Sequence, residues 1–263
     1  MSICETVRYL EAGRGEQPVI LLHGLFGRPE NWHSIIERLA DDYRFYAVQF
    51  PINPDPSRRY NDFCTVEQLT DFVEVFFAET GLERAALCGN SLGGQIAIEF
   101  ALRHPHAVSH LVLTGSAGLF ERSVNSGGKL RATREKVRER AAEVFYDPRH
   151  VTDAMVDELY EMVTDRAYAR YLVRVAKATR DRSVKEHLDR LDVPTLILWG
   201  KNDCVTPPFV AEEFRQHISG AELAFLDECG HSPPIEQPEQ FSRIMHDFLS
   251  RNGQRGYRPG KPR

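Results

Sequence analysis

The residues with the clearest chemical potential lie in a glycine-rich turn that contains a serine. The turn reads Gly89-Asn90-Ser91-Leu92-Gly93-Gly94, and it lies between an apolar run and a helical pattern. This is the strand–turn–helix setting of a G-x-S-x-G nucleophile elbow, in which a sharp turn exposes the serine hydroxyl. The pattern also occurs by chance, and an ordinary corner is the alternative. The setting favours Ser91 as a nucleophile.

An Asp and a His complete the expected chemistry. A serine hydroxyl is a weak nucleophile near neutral pH, so a base must take its proton and a third group must orient that base. Asp203 and His231 each follow an apolar run, beyond the end of a predicted strand, where open α/β sheets place their sites. A lone Asp or His in a loop is more often an exposed turn residue, and Asp227 is a rival acid. The order Ser, Asp, His predicts a triad of Ser91, Asp203 and His231.

A second turn, His23-Gly24-Leu25-Phe26-Gly27, follows the first buried run. A backbone N–H in such a turn can point at the negative oxygen that forms when a nucleophile attacks a carbonyl. We therefore predict an oxyanion hole made by the N–H groups of Leu25 and Leu92, and substrate contacts from Phe26 and Asn90. A His-Gly turn by itself is common at the end of a strand. The other motifs in this chain are the reason to interpret it as part of an active site.

The apolar runs that must position these residues alternate with helical patterns. Such alternation predicts an α/β fold with a mostly parallel, doubly wound sheet and helices on both faces. The predicted strands are Pro18–His23, Arg44–Phe50, Ala85–Gly89, His110–Thr114, Thr195–Gly200 and Glu222–Leu226, with an edge strand over Thr6–Ala12. Helices are predicted from Thr65, which has capping-box spacing, to Gly81, from Ser91 to His104, and over Pro238–Leu249.

Two stretches interrupt the alternation. A proline-rich loop spans Phe50–Tyr60, and residues 119–189 show no strand pattern. The latter opens with a loop at 125–128 and predicts three or four helices, long enough to form a subdomain inserted between two strands. Its apolar stripes, Met155–Leu159–Met162 and Tyr168–Tyr171–Leu172–Val175, must pack on one another, the core or a substrate. The core is then predicted over 1–118 and 190–250, with a flexible basic tail over 251–263.

Composition and charge exclude several classes of partner. The net charge of −5 and pI near 6.1 argue against nucleic-acid binding, which favours a basic surface. The apolar runs are too short to span a bilayer, and no signal peptide is visible, so we expect a cytoplasmic protein with no membrane partner. A small-molecule substrate is expected, and the sequence leaves both monomer and homodimer open.

Metal and redox sites find little support. The His104-Pro105-His106 segment stands at a predicted helix end and is better interpreted as exposed than as metal-binding. None of the five cysteines forms a C-x-x-C pair. Cys204 and Cys229 lie within two residues of triad candidates, and packing is favoured over an oxidisable pair. No metal site is predicted.

Together the motifs resemble those of the α/β-hydrolase fold superfamily, in particular its cap-bearing esterases, carbon–carbon hydrolases and lactonases, over about residues 15–250. The resemblance implies no cofactor and a helical cap between the sixth and seventh strands, which residues 119–189 match in position and length. Two features depart from it. Relatives carry Asp-x-x-Gly-x-Gly-x-Ser where this chain has Gln49-Phe50-Pro51-Ile52-Asn53-Pro54, and the antiparallel hairpin that begins the sheet is expected to be reduced.

The sequence favours a serine hydrolase that cleaves an ester-type bond (ester, lactone or thioester) of a small, largely apolar substrate through an acyl-enzyme. Carbon–carbon hydrolases of dienoate ring-fission products share the Gly-Asn-Ser-x-Gly-Gly turn. They typically place Trp after the catalytic His, where this chain has Ser232. That reaction and a small-molecule receptor with little turnover remain the alternatives.

Overall fold

The structure is a computed structural model, and it describes residues 7–53, 63–122 and 132–252. Within these ranges a seven-stranded sheet has the order β1-β3-β2-β4-β5-β6-β7. The strands are β1 Tyr9–Ala12, β2 Gln17–Leu22, β3 Tyr43–Val48, β4 Ala85–Asn90, β5 Val108–Thr114, β6 Thr195–Gly200 and β7 Glu222–Leu226. Only β1 pairs antiparallel, with β3; every other pairing of these strands is parallel. The predicted α/β class and mostly parallel sheet are confirmed.

Helices cover both faces of this sheet. The helices of the described ranges are α1 His33–Leu39, α2 Val66–Thr80, α3 Leu92–Arg103, α4 Arg134–Ala142, α5 Asp153–Thr164, α6 Arg166–Asp181, α7 Pro208–His217, α8 Pro233–Glu236 and α9 Pro238–Asn252. Successive strand residues point to opposite faces. In β2, Val19 and Leu21 accordingly join the cluster that holds α1 and α9, while Ile20 and Leu22 join the cluster that holds α2 and α3.

The predicted limits of α2 are confirmed at both ends. The Thr65 hydroxyl accepts from the Gln68 N–H, and the Gln68 side chain accepts in return from the Thr65 N–H, which is a capping box. Gly81 ends the helix with φ +67°, a left-handed conformation that glycine adopts without steric cost.

The helical insertion lies between β5 and β6 and contains α4, α5 and α6 in its described part. It follows the fifth strand here rather than the sixth, because the described N-terminal part of the sheet has a single antiparallel strand, β1. Tyr168, Tyr171 and Val175 of α6 are buried in the same cluster as the core residue Phe63. Tyr171 donates its hydroxyl to the Phe63 carbonyl at 2.6 Å.

The apolar stripes of the insertion thus pack mainly on protein. Met162 lies in the large core cluster with the α6 stripe, whereas Met155 packs against a small cluster of Ala141, Val151 and Val156 within the insertion. Leu159 is partly buried and contacts both clusters. The division of the chain into a core and a cap stays a prediction.

Several predicted boundaries were wrong by one to three residues. β2 and β3 start one residue earlier than predicted and end one or two earlier, and β5 starts two residues earlier. β1 starts at Tyr9 rather than at Thr6, and the last helix continues through Asn252, three residues beyond the predicted end at Leu249. The predicted loop 125–128, residues 54–60 of the proline-rich loop and residues 253–263 of the tail lie outside the described residues. No helix of the described ranges has the length and apolar character needed to cross a membrane.

Candidate active site

Ser91 occupies a strained turn between β4 and α3. Its backbone has φ +56° and ψ −120°, a region that non-glycine residues rarely adopt. Such strain costs on the order of 1–3 kcal/mol and persists where neighbouring contacts enforce it. Here the Ser91 N–H donates to the Thr114 carbonyl at 3.0 Å, and the Ser91 carbonyl accepts from Gly94, Gln95 and Ala117. The geometry is that expected of a nucleophile elbow.

Asp203 and His231 form a buried hydrogen-bonded pair. The His231 Nδ1–H donates to Asp203 Oδ2 at 2.8 Å, which leaves Nε2 as the acceptor of the ring. Asp203 also accepts from the N–H groups of Val205 and Thr206, each at 2.8 Å, and from the Thr206 hydroxyl at 2.9 Å. The rival Asp227 is largely exposed and pairs with a lysine instead. Asp203, rather than Asp227, is therefore the carboxylate that is hydrogen-bonded to His231.

The electrostatics of this pair suit a general base. Burial alone would lower the pKa of His231, but the charge and hydrogen bond of Asp203 raise it above its ordinary value. Glu121, on the segment after β5, contributes to the same rise. Burial raises the pKa of Glu121 itself, while the positive charges of His231 and Arg180 oppose that rise. His231 is thereby prepared to accept a proton, with a second carboxyl nearby.

Asn90 joins the serine turn to the histidine loop. Its side-chain amide donates to the carbonyls of Thr114 and His231, each at 3.0 Å. The same Thr114 carbonyl accepts from the Ser91 N–H. Because both N–H groups of the Asn90 amide are engaged by protein, only its carbonyl oxygen is left for the predicted substrate contact.

His23 organises the turn predicted to supply the oxyanion hole. Its Nδ1–H donates to the Gly24 carbonyl at 2.7 Å, and its Nε2 accepts from the Phe50 N–H at 3.2 Å. Burial lowers the pKa of His23 to about 4, so the ring is neutral and keeps this tautomer. Gly24 lies against the nucleophile, since a Cβ there would lie 3.1 Å from the Ser91 Cβ. The turn therefore brings Gly24, the residue directly before Leu25, against Ser91.

The other predicted residues of this region differ in exposure. Leu25 is partly buried, whereas the Phe26 side chain is 52% exposed. Leu92 is the first residue of α3, where a backbone N–H has no intrahelical acceptor. The N–H of Leu92 can therefore serve as a donor to a ligand, and the substrate role of Phe26 stays a prediction.

The cysteine and histidine pairs that the sequence raised are not assembled into sites. Cys204 is exposed, while Cys229 is buried in the cluster under α9. Burial raises the pKa of the Cys229 thiol, which keeps it protonated. His104 is exposed and its ring bonds Glu74. In the described ranges no three His, Cys, Asp or Glu side chains are grouped so that they could hold a metal ion.

Three residues of this region escaped sequence reasoning. Thr206 follows Asp203 at a spacing typical of a local side-chain turn, and that signal could have identified it. Glu121 lies in a stretch without strand or helix pattern. Glu236 accepts hydrogen bonds on either side of His231 and also from Tyr146, 90 residues away, so local sequence patterns could not reveal it.

The chain is similar to several known hydrolases. The chain is 33% identical to a 2-hydroxy-6-oxo-6-(2'-aminophenyl)hexa-2,4-dienoic acid hydrolase of Metapseudomonas resinovorans, over 93% of this chain and 87% of that protein. It is 26% identical to the monoacylglycerol lipase abhd6-B of Xenopus laevis, over 90% and 76% of the two chains. Among solved structures, a meta-cleavage product hydrolase of Pseudomonas fluorescens IP01 is similar with TM-score 0.81 and 28% identity, covering 93% of this chain and 94% of that one.

A family model also matches most of the chain. The model described as the alpha/beta hydrolase family matches residues 19–244, a range that begins in β2 and ends within α9. It includes Ser91, Asp203 and His231. The chain belongs to the alpha/beta hydrolase family.

Proposed function

We propose that the protein is a serine hydrolase that cleaves an ester-type bond (ester, lactone or thioester) of a small, largely apolar substrate through an acyl-enzyme. One observation carries this proposal. Asn90, directly before the strained Ser91, is hydrogen-bonded to His231, which is itself paired with Asp203. These bonds support the assignment of Ser91 as nucleophile, His231 as base and Asp203 as the acid that orients the base.

In this mechanism the Ser91 Oγ attacks the substrate carbonyl carbon while His231 Nε2 takes the proton of the Ser91 hydroxyl. The carbonyl oxygen becomes negatively charged and accepts hydrogen bonds from the N–H groups of Leu25 and Leu92. The C–O or C–S bond to the leaving group then breaks, and His231 gives its proton to that group. A water molecule, deprotonated by His231, then attacks the carbonyl carbon of the acyl-enzyme. The ester bond to Ser91 Oγ breaks, the carboxylic acid leaves, and His231 returns the proton to Ser91. Asp203 stabilises the imidazolium in both halves of the cycle.

The acidic surroundings of His231 favour a neutral substrate over a dienoate. The dienoic acid named for the relative carries a carboxylate, and Glu121 and Asp203 both lie within electrostatic range of His231. A second anionic group in such a place is disfavoured, although Arg180 offsets part of the repulsion. Ser232, where dienoate hydrolases typically have Trp, is consistent with the same preference.

The carbon–carbon hydrolase remains the second candidate because of the 33% identity to a dienoic acid hydrolase. A direct comparison decides between the two. Purified protein would be assayed with p-nitrophenyl esters of increasing acyl length and with a dienoate ring-fission product. We expect the larger kcat/KM for a short or medium ester. A larger value for the dienoate would reverse the assignment, and ligand-induced thermal shifts without turnover of any substrate would favour a receptor.

A further inference from the structure

Glu236 lies at the point where the helical insertion meets the loop that carries His231. The residue is only 9% exposed, in the short helix α8 directly after the loop. It accepts from the N–H of Gly230 at 2.9 Å and from the N–H of Ser232 at 3.0 Å, on either side of His231. A third bond comes from the N–H of Tyr146 at 2.7 Å. The carboxylate therefore bonds the histidine loop and the insertion at once.

The peptide groups of His231 complete this junction. Its N–H donates to the Val144 carbonyl at 2.8 Å, and its carbonyl accepts from the Asn90 amide at 3.0 Å. Residues 144–146, which follow α4, thus both accept from and donate to the junction. The approach is close, because a Cβ on Gly230 would lie 2.6 Å from the Val144 carbonyl oxygen. The backbone of the base is held by the insertion on one side and by the serine turn on the other.

A carboxylate in this position has a role that a neutral group cannot fill. An ionised carboxylate offers acceptors only, which suits three N–H donors, whereas an amide would point its own N–H groups at some of them. Hydrogen bonds to charged groups are stronger than hydrogen bonds between neutral groups. The three bonds therefore favour one arrangement of the loop and the insertion over alternatives.

We propose that Glu236 is a positioning residue that couples the helical insertion to His231, so that displacement of residues 144–146 displaces the base. This inference rests on the proposed function, since it assigns the regulation of the same site. Movement of the insertion that admits substrate or releases product would then change the alignment of His231 with Ser91. Coupling of this kind would restrict full activity to one position of the insertion.

The test compares Glu236→Gln with the matched control Glu239→Gln, an exposed carboxylate three residues away. Glu236→Gln is expected to lower kcat for p-nitrophenyl acetate at least about 10-fold, with a smaller change in KM. Misalignment of His231 reduces the stabilisation of the transition state more than it reduces substrate binding. Glu239→Gln should stay within about twofold of wild type. A folded Glu236→Gln protein with wild-type kcat would overturn the proposal.

The pH profile separates positioning from general destabilisation. The charges that act on His231 are those of Asp203, Glu121 and Glu236, with Arg180 acting on Glu121. Removal of the Glu236 charge should move the acidic limb of kcat/KM to lower pH. Glu236→Asp retains the negative charge on a shorter side chain. The acidic limb of kcat/KM should therefore stay at the wild-type pH, while kcat should fall. If Glu236→Gln fails to fold, a wild-type kcat in Glu236→Asp overturns the proposal and a reduced kcat supports it.

A measurement without substrate keeps the two proposals apart. An NMR titration of the His231 imidazole should give a lower pKa in Glu236→Gln than in wild type or Glu239→Gln, whether or not the protein hydrolyses esters. If the wild-type protein does not hydrolyse esters but the pKa difference is present, only the proposed function is overturned. If the wild-type protein hydrolyses esters, all variants have equal kcat and the imidazole pKa is unchanged, only the coupling is overturned.

Discussion

The side-chain amide of Asn90 donates to the backbone carbonyl of His231 at 3.0 Å, across 141 positions of sequence. The residue before the candidate nucleophile therefore holds the loop of the candidate base. Asn90→Ala leaves the His231 carbonyl without this donor, at a cost of about 1–3 kcal/mol for a buried acceptor. We expect kcat for a p-nitrophenyl ester to fall at least about 10-fold while the protein stays folded.

Asn202→Ala is the matched control for that variant. Asn202 is exposed and adjoins Asp203, so the same substitution is made near the site without loss of the amide bridge. We expect its kcat to stay near wild type. Equal activity of the two variants would show that the bridge does not align the base.

Ser91→Ala tests the nucleophile. The variant retains the turn, since the backbone bonds of residue 91 do not use the hydroxyl, and it should unfold at nearly the wild-type temperature. Ester hydrolysis should fall by more than about 10³-fold, as expected when a triad nucleophile is removed. Steady-state assays with a trace-contaminant control would measure it, and retention of more than a few per cent of kcat would remove Ser91 from the mechanism.

Asp203→Asn tests the acid through rate and pH together. In the best-studied triad the equivalent change lowers kcat about 10⁴-fold, because the imidazole is no longer held in the correct tautomer. The Asp203 charge raises the pKa of His231, and only the neutral ring can accept the Ser91 proton. Loss of the charge should therefore lower that pKa and move the acidic limb of the residual kcat/KM to lower pH.

Asp227→Asn is the control for the acid. Asp227 is largely exposed and pairs with Lys201 at 2.6 Å, away from the imidazole. Its activity and pH profile should match those of wild type. A crippled Asp227→Asn beside a mild Asp203→Asn would move the acid role to Asp227.

The strand ends and the order of motifs allowed much of this architecture to be predicted. Residues at the carboxyl ends of parallel strands must meet at one edge of a sheet, so Ser91, Asp203 and His231 could be placed together from strand patterns alone. The triad roles still await the experiments above. The boundary errors at β2, β3 and β5 arise because an apolar run does not mark where its ladder of hydrogen bonds stops.

Hydrogen bonds between distant segments could not be predicted from the sequence. Glu236 meets Tyr146 only because the insertion folds back on the histidine loop, and nothing near either residue indicates that pairing. Asn90 was predicted to contact substrate because it lies next to Ser91 in the sequence. That position does not indicate that its side-chain amide donates to the carbonyls of Thr114 and His231. The packing of Tyr168 and Tyr171 on the core likewise depends on tertiary contacts rather than on helical spacing.

The last prediction concerns acid stability and two buried histidines. Burial lowers the pKa of both His23 and His110 to about 4. The unfolded chain, with histidine near 6.5, binds more protons than the folded one between these values, so stability falls as pH drops from about 6.5 to 4. Linkage gives a loss of about 2 kcal/mol for a buried histidine with this shift at pH 5 relative to neutral pH.

His110→Phe should remove one of these two contributions. The His110 ring packs edge-on against Phe248, and its Nε2 is buried without a hydrogen-bond partner in the described part of the chain, so an aromatic hydrocarbon suits the site. Urea unfolding at pH 7 should show little loss of stability. Between pH 7 and pH 5 the variant should lose less stability than wild type by about 2 kcal/mol. An equal loss in wild type and His110→Phe would mean that His110 does not limit acid stability.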